Sequence, residues 1–320
     1  MEKEPIGQHP EMGAALESTM SLTHFRSADS SAPATRGARV TIQSLQDKKS
    51  QGTPIVALTA YDYATARLVD EAGVDIILVG DSLAMVVMGY DNTLPVTMDE
   101  MLLHTCAVRR AVRQAMVVAD MPFGSYQVSN EEGVANAVRF LKEAGAQAVK
   151  IEGGASRLNL VKRLTDAEIP VVAHLGLTPQ SVHRMSGYRV QGKSVAAIHH
   201  LVKDALALEA AGAFAVVLEG IPSEVAQRIT AALHIPAIGI GAGPHCDGQI
   251  LVLHDLINLS FSNPAKFVRR YGDAAALITD AVVRYRKDVE TRQFPGEEES
   301  YHLGKEALSA LLQEEGRRKA

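Results

Sequence analysis

One unit recurs along this chain and constrains its fold more than any other feature. A short apolar run stops on a polar or glycine-rich residue pair and is followed by a segment of helical periodicity. The clearest copy is Ile76-Ile77-Leu78-Val79-Gly80-Asp81-Ser82. A continuous apolar run of this length reads as a strand of a parallel sheet, buried on both faces. The C-terminal edge of such a sheet or barrel is where binding and chemistry are built. Taken alone, Asp81 reads as the cap of the next helix. The repetition of acids at equivalent positions favours a shared site instead.

The predicted strands are 54–60, 75–79, 115–119, 146–151, 170–173, 214–218, 236–240 and 249–253. Helices are predicted between and around them. Tyr63 opens one that Gly73 stops, glycine being the usual residue past a helix end. Thr97 with Glu100 and Ser129 with Glu132 have the spacing of a capping box. Further helices are predicted at 157–164, 194–211 and 273–290, with apolar residues at helical spacing over 303–312. Eight strand–helix units are the number that closes a barrel. The expectation is an α/β chain forming a (β/α)8 TIM barrel with extra terminal helices. An open doubly wound sheet is the alternative. Gly241-Ala242-Gly243 comes too late and lacks the third glycine of a dinucleotide fingerprint.

Residues 1–40 carry no apolar periodicity and read as a disordered tail, 41–302 as the catalytic barrel and 303–320 as a C-terminal helical tail. Acidic residues near Met1 argue against a transit peptide. A start at Met20, with Arg26, Arg36 and Arg39, keeps a mitochondrial address as the alternative to the cytoplasm. The formal net charge of -5, with no basic run, implies no nucleic-acid partner. No apolar run approaches the roughly 20 residues of a membrane span. Cys106 and Cys246 make neither a CxxC pair nor a disulfide framework.

If the barrel closes, Asp81, Ser82, Asp120, Lys150, Glu152, His174 and Glu219 converge on one mouth. Four carboxylates packed together stay ionised only when cations balance them. An all-oxygen set suits magnesium better than zinc. Magnesium takes only one or two protein carboxylates directly, which leaves positions for water and a chelating α-keto acid. The bland readings are a turn or cap for Asp62, a structural Lys150–Glu152 salt bridge, and a hydrogen-bonded structural role for His174. His183, His199, His200, His245 and His254 read as loop, surface or packing residues, and the methionines as fillers.

Several stretches carry a resemblance. They are Val79–Ser82, Ala119-Asp120-Met121-Pro122-Phe123-Gly124-Ser125-Tyr126, Val149-Lys150-Ile151-Glu152-Gly153-Gly154 and His174-Leu175-Gly176-Leu177-Thr178-Pro179-Gln180-Ser181. With Arg189–Gly192, Gly239–Gly243 and Cys246–Gln249, they resemble the ketopantoate hydroxymethyltransferase family from about Thr41 to about His302. The resemblance implies transfer of a hydroxymethyl group from 5,10-methylenetetrahydrofolate, as co-substrate, to 3-methyl-2-oxobutanoate, giving 2-dehydropantoate on the route to pantothenate. By motif match it implies that Asp81 and Asp120 bind magnesium and that Glu152 completes the metal site. Asp81, Ser82, Asp120, Lys150 and His174 would contact the keto acid, and Glu219 would be the general base. It also implies a large homo-oligomer, up to a decamer. Ser186-Gly187 and Gly220 depart from the family pattern. Two alternatives stand beside this one. The first is a magnesium-dependent carbon–carbon lyase of the isocitrate lyase and phosphoenolpyruvate mutase type, which would need a catalytic cysteine on a mobile loop. The second is a barrel that binds a keto acid without turnover.

Overall fold

The structure is a computed structural model that describes residues 38–318 apart from Ser186, Tyr188 and Ser262. The expected tail up to residue 37, the Met20 start and the Ser186 departure lie outside those residues, while Val40, at the tail's expected end, donates to Gln114 O at 2.8 Å. Eight parallel strands close a barrel in sequence order, each paired with the next and β8 with β1. They are β1 (Ile55–Thr59), β2 (Ile76–Val79), β3 (Met116–Asp120), β4 (Ala148–Glu152), β5 (Val171–Gly176), β6 (Ala215–Glu219), β7 (Ala237–Ile240) and β8 (Gly248–Leu251).

Side chains alternate across each strand, and that parity divides the core in two. Ile76, Leu78, Met116, Val118, Ala148, Val172, Ala215, Val217, Ile238 and Ile250 fill the interior. Ile77, Val79, Val117, Val149, Ile151, Val171, Val216 and Leu218 form the other layer, packed against the helices. Each such Val, Leu or Ile contributes about 1.5–3 kcal/mol when fully buried. The same parity carries Asp120, Lys150, Glu152, His174 and Glu219 inward above the apolar floor. Register stacks them, with Asp120 opposite Lys150, Glu152 opposite His174 and Gly176 opposite Glu219.

The helices start where the capping residues stand. Asp62 accepts from Thr65 N–H at 2.9 Å to open Tyr63–Glu71, so it is a cap, as its turn context suggested. Thr97 and Glu100 form the reciprocal capping box of Met98–Ala111. Ser129 caps Asn130–Lys142, Ser194 caps Val195–Ala210 and Asp273 caps Ala274–Glu290.

Most strand ends shift by a residue or two from the sequence reading, and three larger differences have physical causes. β5 continues to Gly176, because its polar His174 points into the barrel rather than ending the ladder. β8 stops at Leu251, because Leu253 N–H leaves the ladder for Thr59 Oγ1 at 3.0 Å, and Leu253–Leu256 turns helical. The return from β7 to β8 has no helix at all. Only residues 241–247 connect these parallel strands, with Gly241 and Gly243 at positive φ.

Gly176 is where backbone freedom matters most to the site. Its φ is +97°, and a Cβ there would lie 2.2 Å from the carbonyl oxygen of Glu219. Gly176→Ala is expected to cost about 1–3 kcal/mol of stability and to displace the end of β6. Denaturant unfolding checks this; wild-type stability would show that the strand ends tolerate separation.

Candidate active site at the barrel mouth

The structure brings all seven predicted site residues to the C-terminal end of the barrel. Asp81 lies just past β2, with its backbone N–H 3.3 Å from Asp120 Oδ2. Its own Oδ2 accepts from Gln180 Nε2 at 2.9 Å. Asp81 is therefore no helix cap: Ser82 occupies that place at Leu83–Val86, without a side-chain cap bond. Ser82 Oγ instead lies 2.9 Å from Tyr61 OH.

Lys150 sits at the centre. Its ammonium is 2.7 Å from Asp120 Oδ1 and 3.6 Å from Glu152 Oε1. The expected Lys150–Glu152 pair is thus the longer of two contacts, and Asp120 is the nearer partner. These are ion-pair approaches. Asp120 Oδ1 and Glu152 Oε1 are buried and take part in no well-aligned hydrogen bond. Burial alone would depress the Lys150 ammonium, but Asp120, Glu152 and Asp81 together push its pKa above the ordinary lysine range. It is a fixed positive charge.

His174 bridges two carboxylates. Nδ1 is 3.2 Å from Glu152 Oε1, and Nε2 is 3.1 Å from Glu219 Oε2. Nδ1 is also 3.3 Å from Lys150 Nζ, a contact that would need a neutral ring. Burial and Lys150 oppose the imidazolium, yet Glu152 and Glu219 outweigh them and raise its pKa to about 9. The charged ring, shared between the two acids, is accordingly the form at neutral pH. Glu219 keeps access to water, with its side chain 18% exposed.

Two side-chain cations therefore do part of what a metal was expected to do. They do not balance the site. Asp81, Asp120, Glu152 and Glu219 outnumber Lys150 and His174 by two negative charges when all are ionised. The strain falls unevenly. Burial, with repulsion from Asp120 and Glu152, drives the Asp81 carboxyl well above its usual range. Burial also raises Asp120, despite Lys150. Glu152 resists burial because Lys150 and His174 hold its charge, and its pKa is lowered.

A divalent cation fits this donor set. It would remove the two-charge deficit and relieve the two carboxyls that burial and repulsion destabilise. Among the described residues, no three His, Cys, Asp or Glu are grouped so as to hold a metal. Asp81 and Asp120 are the neighbouring pair, and two direct carboxylates is the number magnesium commonly takes. Glu152 Oε2 is already taken by the backbone N–H of Gln180 at 3.0 Å.

Sequence reasoning missed three residues here. Tyr61, Tyr126 and Gln180 are all buried. Tyr61 supports Ser82 and stacks at a tilt on His254. Tyr126 OH accepts from Glu152 N–H at 3.1 Å and donates to Gln180 Oε1 at 2.7 Å. Their signal was position: each follows a strand end, and Tyr126 and Gln180 lie in stretches that also hold site residues. The cysteines lie away from the mouth. Cys106 is on the Met98–Ala111 helix, donating to Glu143 O at 3.5 Å. Cys246 lines an outer-wall cavity of about 650 Å³ beside Val56, Gln249 and Phe267.

Comparison with known proteins places relatives around this geometry. The profile of the family described as ketopantoate hydroxymethyltransferase matches residues 39–297. The 3-methyl-2-oxobutanoate hydroxymethyltransferase of Koribacter versatilis (strain Ellin345) is 63% identical over 283 residues, which is 88% of this chain and 96% of that protein. The enzyme of the same name from Geobacter sulfurreducens is 56% identical over 261 residues, covering 82% and 98%. Among solved structures, phosphonopyruvate hydrolase complexed with oxalate and magnesium aligns with a TM-score of 0.54 at 15% identity, over 88% of this chain and 97% of that one. 2,3-Dimethylmalate lyase, of the PEP mutase/isocitrate lyase superfamily, aligns with a TM-score of 0.51 at 17% identity, covering 88% and 98%. At such identities these two likenesses speak to the barrel fold alone.

Proposed function

The chain belongs to the ketopantoate hydroxymethyltransferase family, and from that premise we propose that its mouth transfers a hydroxymethyl group from 5,10-methylenetetrahydrofolate to 3-methyl-2-oxobutanoate. The product is 2-dehydropantoate. The observation that carries this reading is the cluster itself, in which four carboxylates, the Lys150 amine and the His174 ring meet at the strand ends.

Asp81 and Asp120 would hold magnesium, with Glu152, whose Oε1 faces His174 and Lys150, completing the site through water. The cation would polarise the keto group and stabilise negative charge developing on its oxygen. Lys150 offers a permanent positive charge to the keto acid, and Ser82 a hydroxyl whose place is set by Tyr61. Glu219 stands at the water-accessible side and takes the C3 proton. His174 holds Glu219 in place through Nε2 and ties it to Glu152 through Nδ1. The carbanion equivalent left at C3 then forms the new carbon–carbon bond to the methylene carbon, both carbon–nitrogen bonds of that carbon to the folate break, water supplies the hydroxyl oxygen, and tetrahydrofolate leaves with the protons on its two nitrogens. No protein nucleophile is needed. Neither cysteine is near the mouth, which disfavours lyase chemistry that relies on a mobile cysteine.

The test is product formation. Purified protein with magnesium, the keto acid and methylenetetrahydrofolate should yield 2-dehydropantoate by mass spectrometry. Folate-independent cleavage of a 2-hydroxy acid such as isocitrate would point to the lyase reading, and keto-acid binding with no product to the non-catalytic one. Within this scheme Asp120→Asn is expected to weaken magnesium binding by about tenfold or more. Wild-type affinity in a calorimetric titration would remove Asp120 from the metal site.

A further inference from the structure

Gln180 has no part in the reaction as described, yet it touches more of the mouth than several residues that do. It lies in the short 3-10 turn Pro179–Ser181 after β5 and is 6% exposed. Its side-chain Nε2 donates to Asp81 Oδ2 and to the carbonyl of Met121, each at 2.9 Å. Its Oε1 accepts from Tyr126 OH at 2.7 Å and from Gln127 Nε2 at 3.1 Å. Its backbone N–H donates to Glu152 Oε2 at 3.0 Å. A carboxamide has two N–H donors and two acceptor lone pairs, and all are used.

The direction of this amide is fixed by its neighbours. Gln127 Oε1 accepts from Gly124 N–H at 2.7 Å, so its nitrogen faces Gln180. The Tyr126 hydroxyl already accepts from Glu152 N–H at 3.1 Å, so its own proton goes to Gln180 Oε1. Turning the amide over would set nitrogen against two donors and oxygen against two acceptors. One residue thus holds one oxygen of Asp81, at the end of β2, and one oxygen of Glu152, at the end of β4. Through Met121 it is also tied to the end of β3, where Asp120 stands. The remaining Glu152 oxygen, Oε1, faces His174 Nδ1 at 3.2 Å and Lys150 Nζ at 3.6 Å, and Asp120 Oδ1 faces Lys150 Nζ at 2.7 Å, none of these contacts a well-aligned hydrogen bond.

We propose that Gln180, its amide locked by Tyr126, is the positioning residue that aims Asp81 and Glu152 at the divalent cation and so sets metal affinity. This rests on the magnesium site of the function proposed above. A carboxylate with one oxygen pinned keeps the other oriented before the ion arrives. Partners of this kind typically change metal affinity 10–100-fold when removed.

Magnesium chloride is the probe, titrated calorimetrically into full-length, chelator-treated protein. Gln180→Met keeps the side-chain length and removes all four bonds of the amide. Gln180→Glu keeps the acceptor for Tyr126 but sets an oxygen against Asp81 and the Met121 carbonyl. Both should bind magnesium about 10–100-fold more weakly. Tyr126→Phe should weaken it less. Combined with Gln180→Met it should add little, because the hydroxyl acts through the amide. Manganese in place of magnesium gives a spectroscopic check, since the spin-resonance signal of the bound ion should broaden in the variants. Magnesium affinity within about twofold of wild type, alongside a normal wild-type titration, would overturn the proposal. If the Gln180 variants do not fold, Tyr126→Phe decides alone, and unchanged affinity there overturns it. A wild-type protein that binds no magnesium would sink the metal site itself, and this proposal with it.

Discussion

Glu219→Gln retains the keto acid and the metal but exchanges the C3 proton about 10²–10⁴-fold more slowly than wild type, the range that a positioned general base commonly supplies. The amide keeps the length and shape of the side chain and leaves an oxygen to face His174 Nε2, which approaches Glu219 Oε2 to 3.1 Å without a well-aligned hydrogen bond. It has no basicity. Loss of exchange with binding preserved therefore isolates proton removal from positioning. Glu219 ends β6, whereas Asp81 and Asp120 follow β2 and end β3, so magnesium affinity is a suitable internal control. Exchange at the wild-type rate would place the base elsewhere, with Glu152 the next carboxylate in reach of His174.

Lys150→Met is expected to damage the protein before any substrate is added. The side chain is 5% exposed, and its ammonium lies 2.7 Å from Asp120 and 3.6 Å from Glu152. Removing one partner of a buried ion pair leaves uncompensated charge, at a cost of roughly 3–5 kcal/mol. Here more than one carboxylate is stranded, and Asp81 and Asp120 are already destabilised as anions by burial. Urea unfolding at neutral pH should show a lower midpoint with an unchanged slope, the mark of a stability change without a change in unfolding surface. Magnesium should restore part of the loss by stabilising the folded form that binds it. Keto-acid turnover should not return with it, because the charge that holds the substrate is gone. A Lys150→Met protein as stable as wild type would mean that the cluster is held neutral by protonation rather than by this lysine.

The barrel was legible because each strand repeats one physical instruction. Parity alone places Lys150 and Glu152 on the same inner face with Ala148, and caps at Asp62, Thr97, Ser129 and Ser194 announce helices in ordinary chemistry. The site acids were legible for the same reason, as polar endings on apolar strands. Legibility failed where a residue's role depends on a partner distant in sequence. β5 outran its expected end because His174 finds Glu152 and Glu219 on neighbouring strands. β8 fell short because Thr59, nearly two hundred residues earlier, takes the N–H of Leu253. Gln180 stood in plain view beside Pro179, yet its bonds reach 99 residues back to Asp81 and 54 to Tyr126. Amides in loops have no period to read, and only closure of the barrel makes this one a hub.

Deuterium exchange at C3 of 3-methyl-2-oxobutanoate in heavy water, followed by NMR with magnesium and then with chelator, tests the central claim most directly. Magnesium-dependent exchange is expected, abolished by the chelator, with 2-dehydropantoate formed once methylenetetrahydrofolate enters the same tube. Folded, magnesium-loaded protein that neither exchanges the proton nor forms the product would contradict the account.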